Sequence, residues 1–262
     1  MNKKIAFLTT VFPMNINYLW DFFNSLKIQT FKQFDVIVVN DGFDYFEDIR
    51  SKYKDLNIIE LKYSNTPAKN REFGINYCID NKYDVLIFGD SDDYFSENRV
   101  EKLVELLSDC DIVVNDLSLF NENGVYEEKY ISNRVENNAI IDIEFIKDKN
   151  IFGLSNTAIN LNILGKVTFY EEIVAVDWYL FSTLLLKGNK AVFTNETETF
   201  YRQYSDNTVG LGQLSIEAVE KGKLIKQKHY EMLKKENAIY KNSYAVNSEK
   251  KNIKNPLWWE QI

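Results

Sequence analysis

The chain has 262 residues, 45% hydrophobic and 15% aromatic, enough for one large α/β domain or one domain with an appendage, and too apolar for wholesale disorder. Its 31 Lys and Arg against 39 Asp and Glu leave a net charge of -8, which argues against a protein whose main task is gripping nucleic-acid phosphates. Cys78 and Cys110 are too few for a disulfide framework and read as two buried thiols in a reducing cytoplasm.

The first elements alternate between strand and helix. IAFLTTVF (Ile5–Phe12) reads as a buried strand, entered directly from Lys3 and Lys4 with no signal peptide. Leu19, Phe22, Phe23 and Leu26 follow at helical spacing. VIVV (Val36–Val39) is a second strand, stopped by Asn40-Asp41-Gly42, and NIIEL (Asn57–Leu61) is a third. Thr66-Pro67 is a cap followed by proline in the first turn, opening a helix to about Ile79. VLIF (Val85–Phe88) is the fourth strand and runs into Gly89-Asp90-Ser91-Asp92-Asp93; IVVN (Ile112–Asn115) is the fifth.

Beyond it, residues 117–150 are polar without a clear period, a long loop or an irregular hairpin. A helix begins near Asp177, a lysine-rich one spans about Leu214 to Lys235, and a tail ends in Trp258-Trp259. His229, the only histidine, sits among lysines and reads as solvated; with that one histidine and two distant cysteines, His-based triads and His/Cys zinc sites are not expected. No run approaches the roughly 20 apolar residues of a membrane span, so a cytoplasmic protein is expected.

Apolar strands separated by helices predict an α/β fold with a mostly parallel sheet covered on both faces. Ligands bind such sheets beyond the carboxyl ends of the strands, where Thr9-Thr10, Asp41 and Asp90 to Asp93 lie. Three carboxylates in four residues repel one another unless a cation offsets them, and Mg²⁺ or Mn²⁺ with a substrate diphosphate fits. Each feature also has a local explanation. The acidic turn could cap the helix near Val100, Asp41 could serve only its turn, Arg71 could pair with Glu72, and Asp177 could answer its own helix dipole.

Together, and in this order, the segments resemble the inverting family-two glycosyltransferases of the GT-A fold, of the bacterial surface-polysaccharide type (lipopolysaccharide or capsule). VVNDGFD (Val38–Asp44) is similar to V-V-D-D-G-S-x-D, NREFGI (Asn70–Ile75) to A-R-N-x-G-I, and IFGDSDDYF (Ile87–Phe95) to the D-x-D segment. FYEEIVAVDWYL (Phe169–Leu180) resembles the stretch ending in E-D-W-x-L, and YRQYSDNTVG (Tyr201–Gly210) the stretch Y-R-Q-H-x-x-N-x-x-G.

The resemblance implies a GT-A domain over 1–212 with a nucleotide-sugar half to about 116, an acceptor half after it, and a helical extension over 213–262. It implies a donor site of Thr10, Asp41, Arg71, Asp90, Ser91, Asp92 and Arg202, a divalent cation at Asp92 and Asp90, and Asp177 as catalytic base. The implied partners are a nucleotide-diphosphate sugar and a glycan or lipid-linked saccharide acceptor, with a homo-oligomer open. Departures are Thr9 for proline, Asn40 for the first aspartate, Glu72 for asparagine, Val176 for the glutamate before the base and Tyr204 for histidine.

Two alternatives stand beside this expectation: a catalytically silent nucleotide-sugar or carbohydrate-binding module, and a sugar nucleotidyltransferase. The latter would open with a glycine-rich basic loop that Thr9–Pro13 lacks. The tail also has two readings. Between Lys221 and Lys254, ten lysines and three glutamates give +7, followed by Leu257, Trp258 and Trp259. Either the lysines line a solvated face while the tryptophans dock on this subunit or a partner, or the segment seeks the inner, anionic face of a membrane.

Overall fold

The computed structural model describes residues 3–204, 216–236 and 254–260. β1 (Ile5–Val11), β2 (Asp35–Asn40), β3 (Asn57–Lys62) and β4 (Val85–Phe88) form where the apolar runs predict them. They pair in parallel in the order β3-β2-β1-β4. Residues alternate between faces, as the two-residue strand period requires. Ala6 and Leu8 of β1 enter one core, and Ile5, Phe7 and Val11 enter the other.

Three helices cover the second core: α1 (Ile16–Lys27), α2 (Phe46–Lys52) and α4 (Arg99–Leu106). The i, i+3, i+4, i+7 set Leu19, Phe22, Phe23 and Leu26 is fully buried, as its spacing predicts. The first core receives α3 (Pro67–Asp80), whose amino end Thr66 caps by accepting the Lys69 amide at 3.4 Å. α3 lies close on the sheet because Gly74 has no side chain: a Cβ there would come within 2.7 Å of Leu8 and 2.9 Å of Val39.

The second half of the sheet is mixed. After β5 (Tyr94–Phe95), β6 (Ile112–Asn121) continues six residues beyond its predicted apolar run. Its polar residues Asn115, Asp116 and Ser118 are buried because each finds side-chain or backbone partners elsewhere. The segment left open between loop and hairpin contains a hairpin, β6 with β7 (Gly124–Glu127), then β8 (Ile140–Ile141) and α5 (Ile143–Ile146). β9 (Thr157–Asn160) inserts antiparallel between β4 and β6, and β10 (Ala191–Arg202) runs parallel to β6 with an irregularity between Thr194 and Glu198. The long path is therefore β3-β2-β1-β4-β9-β6-β10-β5.

α6 (Val176–Leu186) is buried almost throughout, and α7 (Ile216–Glu236) lies against it. His229 is not solvated, contrary to its lysine-rich surroundings. Lys226, His229, Tyr230 and Leu233 fall at i, i+3, i+4 and i+7 and form the buried face of α7. The lone imidazole stacks on Trp178 at 3.8 Å, and burial pushes its pKa down to about 3. Leu257, Trp258 and Trp259 are also buried, in the same core as Trp178. The indoles are thus not available to a bilayer, which removes the apolar part of the membrane reading. Lysines 241, 250 and 251 lie outside the described residues. No helix among the described residues is long and apolar enough to cross a membrane.

Both cysteines are free and buried, and burial pushes the Cys78 thiol up to about 12.

One close approach shapes the end of β4. A Cβ on Gly89 would lie 2.4 Å from Phe7 and 2.8 Å from Phe95, rings already packed edge to face with Phe22. Gly89→Ala is expected to cost about 1–3 kcal/mol and to lower Tm by about 2–4 °C per kcal/mol. Thermal unfolding checks this; an unchanged Tm means the aromatic cluster yields freely.

Candidate active site

The four parallel strands end at one edge of the sheet, and that edge gathers the polar residues. After β2, the Asp41 amide donates to Val11 O at 2.7 Å, and Gly42 turns the chain with φ +80. The Asp41 carboxylate accepts Asn70 Nδ2 at 2.7 Å and the Ser64 hydroxyl, so it is aimed by α3 and the end of β3. Asn40 explains its own departure from aspartate: its amide donates to Glu60 at 2.7 Å, where an aspartate would set two carboxylates against each other.

Arg71, in the second turn of α3, reaches across to pair with Asp90 at the end of β4, not with its neighbour Glu72. Its other terminal nitrogen, Nη1, is buried without a hydrogen-bond partner. Glu72 instead accepts Lys69 Nζ at 2.8 Å and the Phe169 amide at 2.6 Å, tying α3 to the segment before α6.

The acidic turn does not cap α4, whose N-cap residue is Asn98 and makes no side-chain cap bond. Its residues divide between two tasks. Ser91 is buried with its hydroxyl donating to Thr10 O at 2.7 Å, so it joins β1 to the turn and is not presented to a ligand. Asp93 is buried, accepting from the Ser155 hydroxyl and from the Arg202 amide at 2.8 Å. Burial, then Asp92 and Asp90, hold its pKa well above the usual carboxylate range. Asp90 and Asp92 are only partly covered. Burial and then the charge of Asp90 raise the Asp92 pKa, and Tyr204 Oη donates to Asp92 Oδ2 at 2.8 Å. Thr10 Oγ1 is buried at the end of β1 without a hydrogen-bond partner.

Arg202, assigned from sequence to the diphosphate, is turned inward. Its Nε donates to Asp92 O at 2.6 Å, its Nη2 pairs with Asp21 at 2.6 Å, and its plane lies over Tyr18 and Phe120. In this arrangement it braces the acidic turn.

Asp177 lies in the first turn of α6. Its Oδ1 accepts the Trp178 amide at 2.7 Å and its Oδ2 accepts Asn150 Nδ2 at 3.3 Å. Burial, assisted by the charge of Asp90 and opposed by Arg71, pushes the carboxyl up to about 7. The charges of Asp90, Asp92, Asp93 and Asp177 all bear on the buried Tyr201 phenol. The fold therefore brings the acidic turn, Arg71 and Asp177 into one electrostatic neighbourhood. Sequence reasoning missed Asp21, Ser64, Asn70, Asn150 and Ser155 as its supports; only the position of Asn70 beside Arg71 offered a signal.

The donor set suits a hard cation incompletely by itself. Among the described residues, no group of three His, Cys, Asp or Glu side chains could enclose an ion. Two partly open carboxylates, one with a raised pKa, suit an ion that keeps other oxygens from diphosphate and water.

The model of "Glycosyl transferase family 2" matches residues 13–173. Glycosyltransferase GlyA of Streptococcus pneumoniae is 23% identical over 219 residues, covering 77% of this chain and 31% of that protein. The O-antigen biosynthesis glycosyltransferase WbnJ of Escherichia coli is 31% identical over 114 residues, 41% of this chain and 44% of the other. This chain thus spans less than half of either relative. The structure of S. aureus TarS 1-349 in complex with UDP-GlcNAc superposes with a TM-score of 0.63 at 18% identity, covering 92% of this chain and 72% of that one. GalNAc-T7 with UDP, GalNAc and Mn2+ gives 0.57 at 12% identity, covering 78% and 44%.

Proposed function

This chain belongs to glycosyl transferase family 2, and from that membership we propose that it moves a sugar from a nucleotide-diphosphate donor to a hydroxyl of a glycan or glycolipid acceptor, with inversion. The observation that carries the proposal is Asp177, a carboxyl in the first turn of α6, held by the Trp178 amide and Asn150, that burial pushes up to about 7 and on which the charges of Asp90 and Arg71 bear. A base with a pKa near the working pH combines a useful ionised fraction with useful proton affinity. The UDP-GlcNAc held by TarS and the O-antigen biosynthesis in the name of WbnJ support the donor and acceptor classes.

Asp41, aimed by Asn70 and Ser64, receives donors of the nucleoside. Asp90 holds one side of the Arg71 guanidinium, and the buried, unpartnered Nη1 on the other side must be uncovered to meet the diphosphate. Asp92, with Asp90, would hold Mg²⁺ or Mn²⁺, which when bound supplies positive charge for the departing diphosphate. Tyr204 must release Asp92 Oδ2 for that carboxylate oxygen to serve the ion. Asp177 takes the proton of the acceptor hydroxyl as it attacks from the side opposite the diphosphate. Neighbouring Val176 is apolar and buried, so no second carboxylate shares the task at that position.

The bond from Tyr204 to Asp92 also favours a second reading, a silent nucleotide-sugar-binding module. Release of nucleoside diphosphate from a panel of nucleotide sugars, with Mn²⁺ and with chelator, separates the two. Turnover of any donor supports the transferase; donor binding without turnover for every donor and acceptor tried supports the module.

A further inference from the structure

The segment at 254–260 reaches two residues that hold the candidate base, Asn150 and Trp178, although more than 70 residues separate it from Asp177 in sequence. Trp258 O accepts the Asn150 amide at 2.9 Å, forming an isolated antiparallel bridge between the two residues. Asn150 is fully buried. Its side chain closes a local loop, with Oδ1 accepting the Phe152 amide at 3.0 Å and Nδ2 donating to Phe152 O at 2.7 Å. The same Nδ2 donates to Asp177 Oδ2 at 3.3 Å. One residue therefore carries the tail on its backbone and the base on its side chain.

The tail is itself firmly held. Glu260 takes both terminal nitrogens of Arg134, one at 2.8 Å, and accepts the Leu257 amide at 2.9 Å. Tyr130 Oη donates to Pro256 O at 2.7 Å. Lys226 of α7 donates to Trp259 O at 3.0 Å and to Asp148 O at 2.7 Å, bridging the tail to the turn before Asn150. Trp258 packs onto Gly153, where a Cβ would lie 3.1 Å from the indole, and edge-on to Tyr201 at 5.7 Å. Trp259 lies parallel to Trp178, the residue whose amide holds the other oxygen of Asp177. Both oxygens of the carboxylate are thus fixed by residues that the tail contacts.

We propose that the segment at 254–260 is a positioning element for the catalytic base, acting through Asn150, with Trp258 as its anchor. The inference rests on the assignment of Asp177 as base. A docked but inert tail would contribute to stability alone. A tail that sets the Asn150 donor stabilises the ionised carboxylate and aims it, so its loss must change the pH at which the base works. The ionisable groups bearing on Asp177 are Asp90, Arg71 and Tyr201. Asp148, Lys149, Lys226 and His229 flank Asn150 and Trp178. None of these groups is altered in the variants below.

The experiment measures kcat against pH, with donor affinity and Tm, for Asn150→Ala, Trp258→Ala and the double variant. The expected result is an acidic limb moved upward by about half to one unit in both single variants. Plateau kcat falls about tenfold, as for loss of a hydrogen bond to a charged group, and the affinity for nucleoside diphosphate is unchanged. The double variant loses no more than the larger single effect, because both act on one contact. Wild-type limbs in both single variants, or in Trp258→Ala alone, overturn the proposal. If Trp258→Ala does not fold, Glu260→Gln, which loosens the tail at Arg134 without opening the core, is judged by the same limb. Asp177→Asn distinguishes the two levels. Retained transfer there defeats the base assignment itself, whereas lost transfer with unmoved limbs in the tail variants defeats only the role of the tail.

Discussion

Asp177→Asn is expected to transfer sugar roughly 10²–10⁴-fold more slowly than wild type, with donor affinity within about twofold. The substitution keeps the shape of the side chain and an oxygen to accept the Trp178 amide, yet removes the group that takes the acceptor proton. In wild type, burial pushes this carboxyl up to about 7, so the rate should rise through about that pH as the base ionises. The same shift makes a stability statement of definite sign. The folded pKa lies above the unfolded value of 3.8, so the proton stabilises the fold fully below about pH 4, and that contribution is lost as the pH rises through about 7. Asparagine has no such loss. The Tm of Asp177→Asn should therefore gain on wild type between pH 4 and 8. Near wild-type transfer would redirect attention to Glu171 and Glu172, both exposed on the segment before α6.

Asp92→Asn is expected to weaken nucleoside-diphosphate binding by about 10–100-fold in the presence of Mn²⁺ or Mg²⁺, the scale of one or two charge-assisted contacts. Chelation of wild type should reproduce much of that loss, and the variant should respond little to chelator. The expectation follows from a carboxylate whose pKa is raised by burial and by Asp90, an arrangement that costs the empty protein stability and that a cation offsets. Calorimetric titration of a nucleoside diphosphate into both proteins, with metal and with chelator, gives the four affinities. Four equal values would remove the metal from the proposal and leave Arg71 as the cation that meets the diphosphate.

Much of the chain through β4 was legible because its signals are local. β1 to β4 are apolar runs of strand length, α1 and α3 carry their helical spacing and cap, and charged residues cluster where the parallel strands stop. The chain-order match of those clusters to a known family then suggested Asp41, Arg71, Asp90, Asp92 and Asp177. Ser91 and Arg202 spend their polar groups on Thr10, Asp92 and Asp21, contacts up to 181 positions away that no local pattern contains.

By itself, then, the sequence determined the fold class, the strand ends where the candidate site residues gather and the family to which the chain belongs, since hydrophobic period and motif order are properties of contiguous residues. Only the tertiary structure decided the antiparallel insertion of β9, the polar half of β6, the buried face of α7 and the docking of the tail on Asn150. Those features depend on buried polar groups such as Asn115, Asp116 and Asn150. Burying them is tolerable only because partners distant in the chain satisfy their hydrogen bonds, and such partners exist only once the chain has folded.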